Sequence, residues 1–137
     1  MKVLFVDDAE VMHEQLTDLI SKMRIGPIEI IGKALTKKDA EGIIIDRKPD
    51  VVILDMRLDG DDGLDLAPLV KRMNPGAMVV VLTNFPTAYY RSKCCKENGV
   101  DYFFTKSSGL HNITAALTRF AEGNLDNDKF SSGTESV

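Results

Sequence analysis

The sequence lacks a disulfide framework, a long apolar run and an excess of positive charge, and each absence narrows what the protein can be. Its two cysteines, Cys94 and Cys95, are adjacent, where a bridge rarely forms, so we expect a reducing, cytoplasmic location. No apolar stretch approaches the ~18 residues of a membrane span, so we expect no membrane insertion. The N-terminus turns acidic early and has no small-residue cleavage site, so we expect no signal peptide.

The balance of charge argues against a polyanionic partner. Lys and Arg number 17 against 21 Asp and Glu, which gives a net charge of −4. Contact with nucleic acid or an anionic membrane depends on clustered basic side chains, so we expect no direct nucleic-acid binding. The length of 137 residues and the apolar content of 44% are ordinary for one globular domain with a sizeable core.

Short apolar runs alternate with amphipathic stretches along the chain. The pattern predicts strands at 2–7, 28–33, 50–55, 77–83 and 101–106. Three of the runs, the first, third and fourth, are nearly continuous Val, Leu, Ile, Phe and Met. Such runs are typical of strands in a parallel sheet whose two faces are both covered.

Helical patterns fill the intervals between the predicted strands. They lie at 12–23, from the Thr36 cap to Pro49, at 63–73, at 87–98, and from Ser107 or Ser108 to Phe120. Thr36 and Asp39 resemble a capping box, and Pro68 inside the third helix predicts a late start or a kink there.

The alternation sets the fold class and the domain boundaries. Strands and helices that alternate five times, a (βα)5 pattern, imply an α/β doubly wound parallel sheet. We expect one domain at 1–122. Residues 123–137 are polar and aperiodic, so we expect a flexible tail there.

Reactive side chains follow four of the predicted strands. In open α/β sheets, ligands bind beyond the carboxyl ends of the strands. Those ends carry Asp7 with Asp8, then Asp55, Thr83 and Lys106. They meet in one crevice if the first strand lies between the second and the third. Three close carboxylates repel one another unless protons or a cation join them, and Mg²⁺ prefers one or two carboxylates with waters and phosphate oxygens.

The same side chains suit phosphoryl transfer. The Asp55 carboxylate can act as a nucleophile and form an aspartyl phosphate. Lys106 can neutralise phosphoryl oxygens, and the Thr83 hydroxyl can donate a hydrogen bond to one of them. The sequence therefore predicts a magnesium-dependent phosphoryl site at one edge of the sheet.

Two neighbouring features have plainer interpretations. His13 lies on the first predicted helix beside the site, and we interpret it as a solvated helix residue. The acidic segment 59–63 lacks the Glu that a calcium-binding loop needs at its twelfth position, so we predict a solvated turn there.

The carboxylates, hydroxyl and ammonium at the strand ends, in this order, resemble the receiver domain of two-component response regulators. The resemblance extends over residues 2–122 and is closest in kind to stand-alone receivers such as those of chemotaxis. It implies the flavodoxin-like strand order 2-1-3-4-5. It also implies a signalling domain rather than an enzyme, one that catalyses only its own phosphorylation and dephosphorylation.

The resemblance implies a role for each matched position. Asp55 would be the phosphoacceptor and a metal ligand. Asp8 would bind Mg²⁺ directly, Asp7 would hold it through a water, and the backbone carbonyl of Arg57 would complete the protein ligands.

Three further positions would respond to the phosphoryl group. Lys106 would pair with it, and Thr83 would be the switch hydroxyl that moves toward it. Phe103, three residues before the lysine, would be the aromatic that rotates inward on activation.

The expected function is that of a stand-alone receiver in a phosphorelay. A sensor histidine kinase or a histidine phosphotransfer protein would phosphorylate it. The output would be a protein–protein contact through the face of the fourth helix, fifth strand and fifth helix. One alternative is a receiver cut from a longer regulator, for example a DNA-binding one. A metal-dependent aspartyl-phosphate hydrolase is disfavoured because it needs a second Asp two positions after the nucleophile, and a cap domain.

Overall fold

The computed structural model describes residues 1–7, 10–23, 26–55, 57–58, 61–62, 65–83, 99–105 and 111–123. Its elements, in chain order, are β1 Lys2–Val6, α1 Glu10–Ser21, β2 Glu29–Ala34, α2 Lys37–Arg47, β3 Val51–Asp55, β4 Arg57–Leu58, β5 Asp61–Asp62, α3 Leu66–Met73, β6 Met78–Thr83, β7 Tyr102–Thr105 and α4 His111–Ala121. Within these ranges no helix is long and apolar enough to span a membrane. The predicted helix at 87–98 and the stretch 124–137 lie outside the described residues.

A five-stranded sheet forms the centre of the fold. Its order is β2-β1-β3-β6-β7, and all four neighbouring pairs are parallel. When only the strands of this sheet are numbered, the order is 2-1-3-4-5, so the predicted α/β doubly wound fold is confirmed. Each strand begins and ends within one residue of its predicted range.

Helices cover both faces of the sheet, which explains the continuous apolar runs. Successive side chains of a strand point to opposite faces. In β1, Leu4 and Val6 pack with side chains of α2 and α3, while Val3 and Phe5 pack with side chains of α1 and α4. All four are at most 1% exposed, so both faces of this strand need apolar residues.

The predicted helix starts at Thr36 and near Pro68 are both confirmed. The Thr36 side chain accepts a hydrogen bond of 3.2 Å from the Asp39 N–H, which satisfies one of the unpaired donors of the first turn of α2. α3 begins at Leu66, later than the predicted range 63–73. Pro68 therefore lies in the first turn, where a missing N–H breaks no intrahelical hydrogen bond.

The acidic segment after β3 contains a short hairpin that the sequence did not predict. β4 and β5 are antiparallel, with Arg57 opposite Asp62 and Leu58 opposite Asp61. The prediction of a solvated turn was therefore wrong for Asp61 and Asp62, which form a strand. Two-residue strands have too few positions to show an apolar alternation, so the pattern gave no signal.

An ion pair with a buried carboxylate joins α3 to the adjacent strands β6 and β7. Asp101, immediately before β7, is 2% exposed. Its Oδ2 accepts hydrogen bonds from Lys71 Nζ at 2.7 Å and from the Val79 N–H at 2.9 Å. Lys71 Nζ also donates to the carbonyl oxygen of Ala77 at 2.6 Å. One carboxylate thus fixes the start of β7 against β6.

Removal of this carboxylate should destabilise the fold. We expect Asp101→Ala to lower the free energy of unfolding by about 3 kcal/mol, because the Lys71 ammonium loses its counter-charge and the buried Val79 N–H loses the carboxylate that accepts from it. Asp101→Asn should lose less stability, since its amide oxygen can still accept a hydrogen bond from the Val79 N–H. Urea unfolding at constant m-value measures both variants. An Asp101→Ala variant within about 1 kcal/mol of the wild type would contradict this account.

Candidate functional site

Parallel register places two carboxylates side by side at one edge of the sheet. Val6 in β1 pairs with Leu54 in β3, so the next residues, Asp7 and Asp55, lie at adjacent strand ends. Buried apolar residues precede both of them, and Asp7 and Asp55 are themselves buried, with 5% and 9% of their surface exposed. The predicted meeting of the first and third strand ends is therefore observed.

The main chain of Thr83 lies at the same edge. Asp55 pairs with Leu82 of β6, and Thr83 is the next residue and the last of that strand. Thr83 pairs in turn with Thr105 of β7. The three neighbouring strands β1, β3 and β6 thus end together, as the sequence predicted.

The structure describes two of the four other predicted positions, Arg57 and Phe103. The main chain of Arg57 begins β4, two residues after Asp55. Phe103 lies in β7 opposite Val81 and is 1% exposed, so its ring is already inside the core on the side of α2 and α3. Asp8 and Lys106 lie outside the described residues.

The donors at this edge fit a hard divalent cation. Two buried carboxylates at adjacent strand ends create a region of negative charge that favours a cation. Carboxylate oxygens are also the donors that Mg²⁺ prefers. Within the part of the chain that the structure describes, no three His, Cys, Asp or Glu side chains form a metal-binding cluster. Asp8, the third predicted carboxylate, is not in that part.

His13 contacts this site, contrary to its interpretation as a solvated residue. It is 2% exposed, and its Nε2 lies 2.6 Å from the main-chain oxygen of Asp7. The interpretation was wrong because His13, Leu16 and Ile20 form the buried stripe of α1. Spacings of 3 and 4 residues are the signal that could have revealed it.

The sequence model of a known family covers most of the chain. The family described as the response regulator receiver domain matches residues 3–118. The chain belongs to this family. Receiver domains are signalling domains of two-component systems, which agrees with the resemblance drawn from the strand-end residues.

Similar proteins are longer than this receiver. The response regulator protein VraR of Staphylococcus epidermidis is 31% identical over 125 residues, which are 90% of this chain and 57% of VraR. The sensory transduction protein LytT of Bacillus anthracis is 36% identical over 105 residues, which are 74% of this chain and 40% of LytT. The receiver thus spans about half the length of these relatives, or less.

Solved structures share the fold. The isolated receiver domain of RcsB from Salmonella enterica serovar Typhimurium has a TM-score of 0.82 at 19% identity, over 99% of this chain and 96% of that one. A DNA-binding response regulator of the LuxR family from Staphylococcus aureus has a TM-score of 0.75 at 22% identity, over 88% and 98%. At these identities, the similarity establishes the fold alone.

Mg²⁺ should stabilise the receiver through the paired carboxylates. At about ten times its dissociation constant, a ligand of the folded state adds about 1.4 kcal/mol. We therefore expect a melting temperature several degrees higher with Mg²⁺ in the wild type, and a much smaller rise in Asp55→Asn. Asp46→Asn, an exposed position on α2, is the matched control and should respond like the wild type. Equal responses in all three proteins would contradict a metal site at Asp55.

Proposed function

We propose that Asp55 is phosphorylated in a Mg²⁺-dependent phosphorelay, with a sensor histidine kinase or a histidine phosphotransfer protein as the donor. The observation that carries this proposal is the buried pair Asp7 and Asp55 at adjacent strand ends, with the end of β6 beside it. A carboxylate at the open edge of a sheet is accessible to a donor from one direction only. Neighbouring groups can therefore orient the incoming phosphoryl group.

The proposed step is a phosphoryl transfer between two side chains. A carboxylate oxygen of Asp55 attacks the phosphorus of a phosphohistidine. The phosphorus–nitrogen bond breaks, and the donor imidazole nitrogen keeps the electron pair. The product is an aspartyl phosphate on this chain.

We propose that the metal ligands surround the acceptor. Asp8 would bind Mg²⁺ directly, Asp7 through a water, and Asp55 and the Arg57 carbonyl oxygen would complete the set. When bound, Mg²⁺ supplies positive charge that neutralises the phosphoryl oxygens. The hairpin of β4 and β5 supports this arrangement, because it restrains the main chain of Arg57 immediately after β3.

The phosphoryl group would then bias a two-state switch. Thr83 would donate its hydroxyl to a phosphoryl oxygen, and Lys106 would pair with another. The inward ring of Phe103 is the orientation expected of the activated state, so phosphorylation would favour the arrangement that this structure holds.

The location, the domain bounds and the partner surface of the receiver are further parts of the proposal. We propose a cytoplasmic signalling domain at 1–122 with a flexible tail at 123–137, and no catalysis beyond its own phosphorylation and dephosphorylation. The partner surface would be β7, α4 and the predicted helix at 87–98. An output through protein contacts agrees with the net charge of −4, which disfavours direct binding to nucleic acid.

A second candidate is a receiver that controls an attached output domain. The supporting observation is that the receiver covers 57% of VraR and that one similar structure is a DNA-binding regulator. In such a protein, DNA binding would belong to the attached domain. The mass of the native protein in cell extracts distinguishes the two: a mass near 15.1 kDa supports the stand-alone receiver, and a mass nearly twice as large supports the longer regulator.

Phosphorylation can be tested with a small donor. We expect acetyl phosphate with Mg²⁺ to add the mass of one phosphoryl group to the wild type, and chelation of the metal to prevent the addition. Peptide mapping should place the group on Asp55, and Asp55→Asn should remain unmodified. Asp46→Asn should be modified like the wild type. An adduct that persists in Asp55→Asn would overturn the assignment of the acceptor.

A further inference from the structure

The imidazole of His13 forms a hydrogen bond with the main chain at the end of β1. Its Nε2 lies 2.6 Å from the Asp7 carbonyl oxygen, and the contact is buried. A carbonyl oxygen only accepts hydrogen bonds, so Nε2 must carry the proton. Because the group is shielded from water, loss of the bond would leave a buried acceptor unsatisfied.

The imidazole ring of His13 lies beside β1, in the first turns of α1. It packs against Phe5 of β1, with ring centroids 6.0 Å apart and planes at 47°. Its other nitrogen, Nδ1, is buried and has no hydrogen-bond partner among the described residues. Within that part of the chain, the bond to Asp7 is therefore the one polar contact of the side chain.

The main chain of Asp7 is thus held from two sides. Its N–H donates to the Ala34 carbonyl oxygen of β2 at 3.0 Å, and its own carbonyl oxygen accepts from His13. A peptide unit is planar, so a restrained carbonyl oxygen restrains the direction in which the chain continues. The peptide concerned is the one that joins Asp7 to Asp8.

We propose that His13 is a positioning residue for the magnesium site. Its Nε2–H restrains the orientation of the peptide that joins Asp7 to Asp8, and this restraint would favour the arrangement of the two carboxylates that binds the metal. The inference rests on the proposed function, because it assigns His13 a role toward that metal. Groups that orient metal ligands commonly change metal affinity by 10- to 100-fold, and we expect an effect of about tenfold here.

The test compares substitutions that differ in the hydrogen bond and not in volume. His13→Leu fills the site without a donor, while His13→Gln keeps an amide N–H at a similar distance from the main chain. Alanine is unsuitable because His13 borders a cavity of about 170 Å³, lined also by Glu10, Glu14, Lys33 and Leu35. A smaller side chain would enlarge that cavity and admit water to the Asp7 oxygen.

Thr17→Val is the matched control on the same helix. The Thr17 hydroxyl is buried and has no hydrogen-bond partner among the described residues, so valine removes it without releasing a described partner. Mg²⁺ affinity is measured by calorimetry, and folding stability by urea unfolding without metal. If His13 contributed only to core packing, its substitution would change the free energy of unfolding and would not change the Mg²⁺ affinity.

We expect His13→Leu to bind Mg²⁺ about tenfold more weakly, and His13→Gln and Thr17→Val to stay within about threefold of the wild type. His13→Leu with the affinity of the wild type would overturn the inference and leave the proposed function intact. A wild type that binds no Mg²⁺ would overturn both.

The hydrogen bond has a test that needs no metal. Long-range proton–nitrogen NMR spectra report which nitrogen of a histidine ring carries the proton. We expect the proton of His13 on Nε2, and a ring protonated on Nδ1 alone would overturn the inference.

Discussion

The parallel register of β1, β3 and β6 is the constraint on which the site depends. The apolar residues of each strand are buried on both faces, and a slip of the pairing by one residue would move every side chain to the opposite face. The register fixes where each strand stops. Asp7, Asp55 and the main chain of Thr83 are neighbours because the chains before them are paired, although they are far apart in sequence.

Buried carboxylates have different surroundings at the two ends of the strands. At the edge where β7 begins, Asp101 is matched by the Lys71 ammonium and the Val79 N–H, which makes it part of the scaffold. At the opposite edge, Asp7 and Asp55 place like charges on adjacent strands. Negative charge gathered at adjacent strand ends favours a cation, which is the physical basis for the proposed binding of Mg²⁺.

Much of this arrangement follows from local sequence. The continuous apolar runs located the strands, and Thr36 and Pro68 located two helix starts, because these signals act within a few residues. The hairpin of β4 and β5 was missed because its two-residue strands are too short to show a pattern. The burial of His13 had only a weak local signal, the spacing that it shares with Leu16 and Ile20. A histidine is compatible with solvent and with the core, and the Asp7 oxygen that decides between them belongs to a neighbouring element.

The most direct test of the account is to locate the metal by paramagnetic relaxation. Mn²⁺ can replace Mg²⁺ at oxygen-donor sites, and it broadens the NMR signals of nearby nuclei. A metal at the ends of β1 and β3 should broaden the signals of Asp7, Asp55 and Thr83 strongly, and leave sharp signals at the opposite ends of the strands, for example at Lys2 and Met78. Broadening confined to the acidic segment 59–62, or spread evenly over the surface, would contradict it.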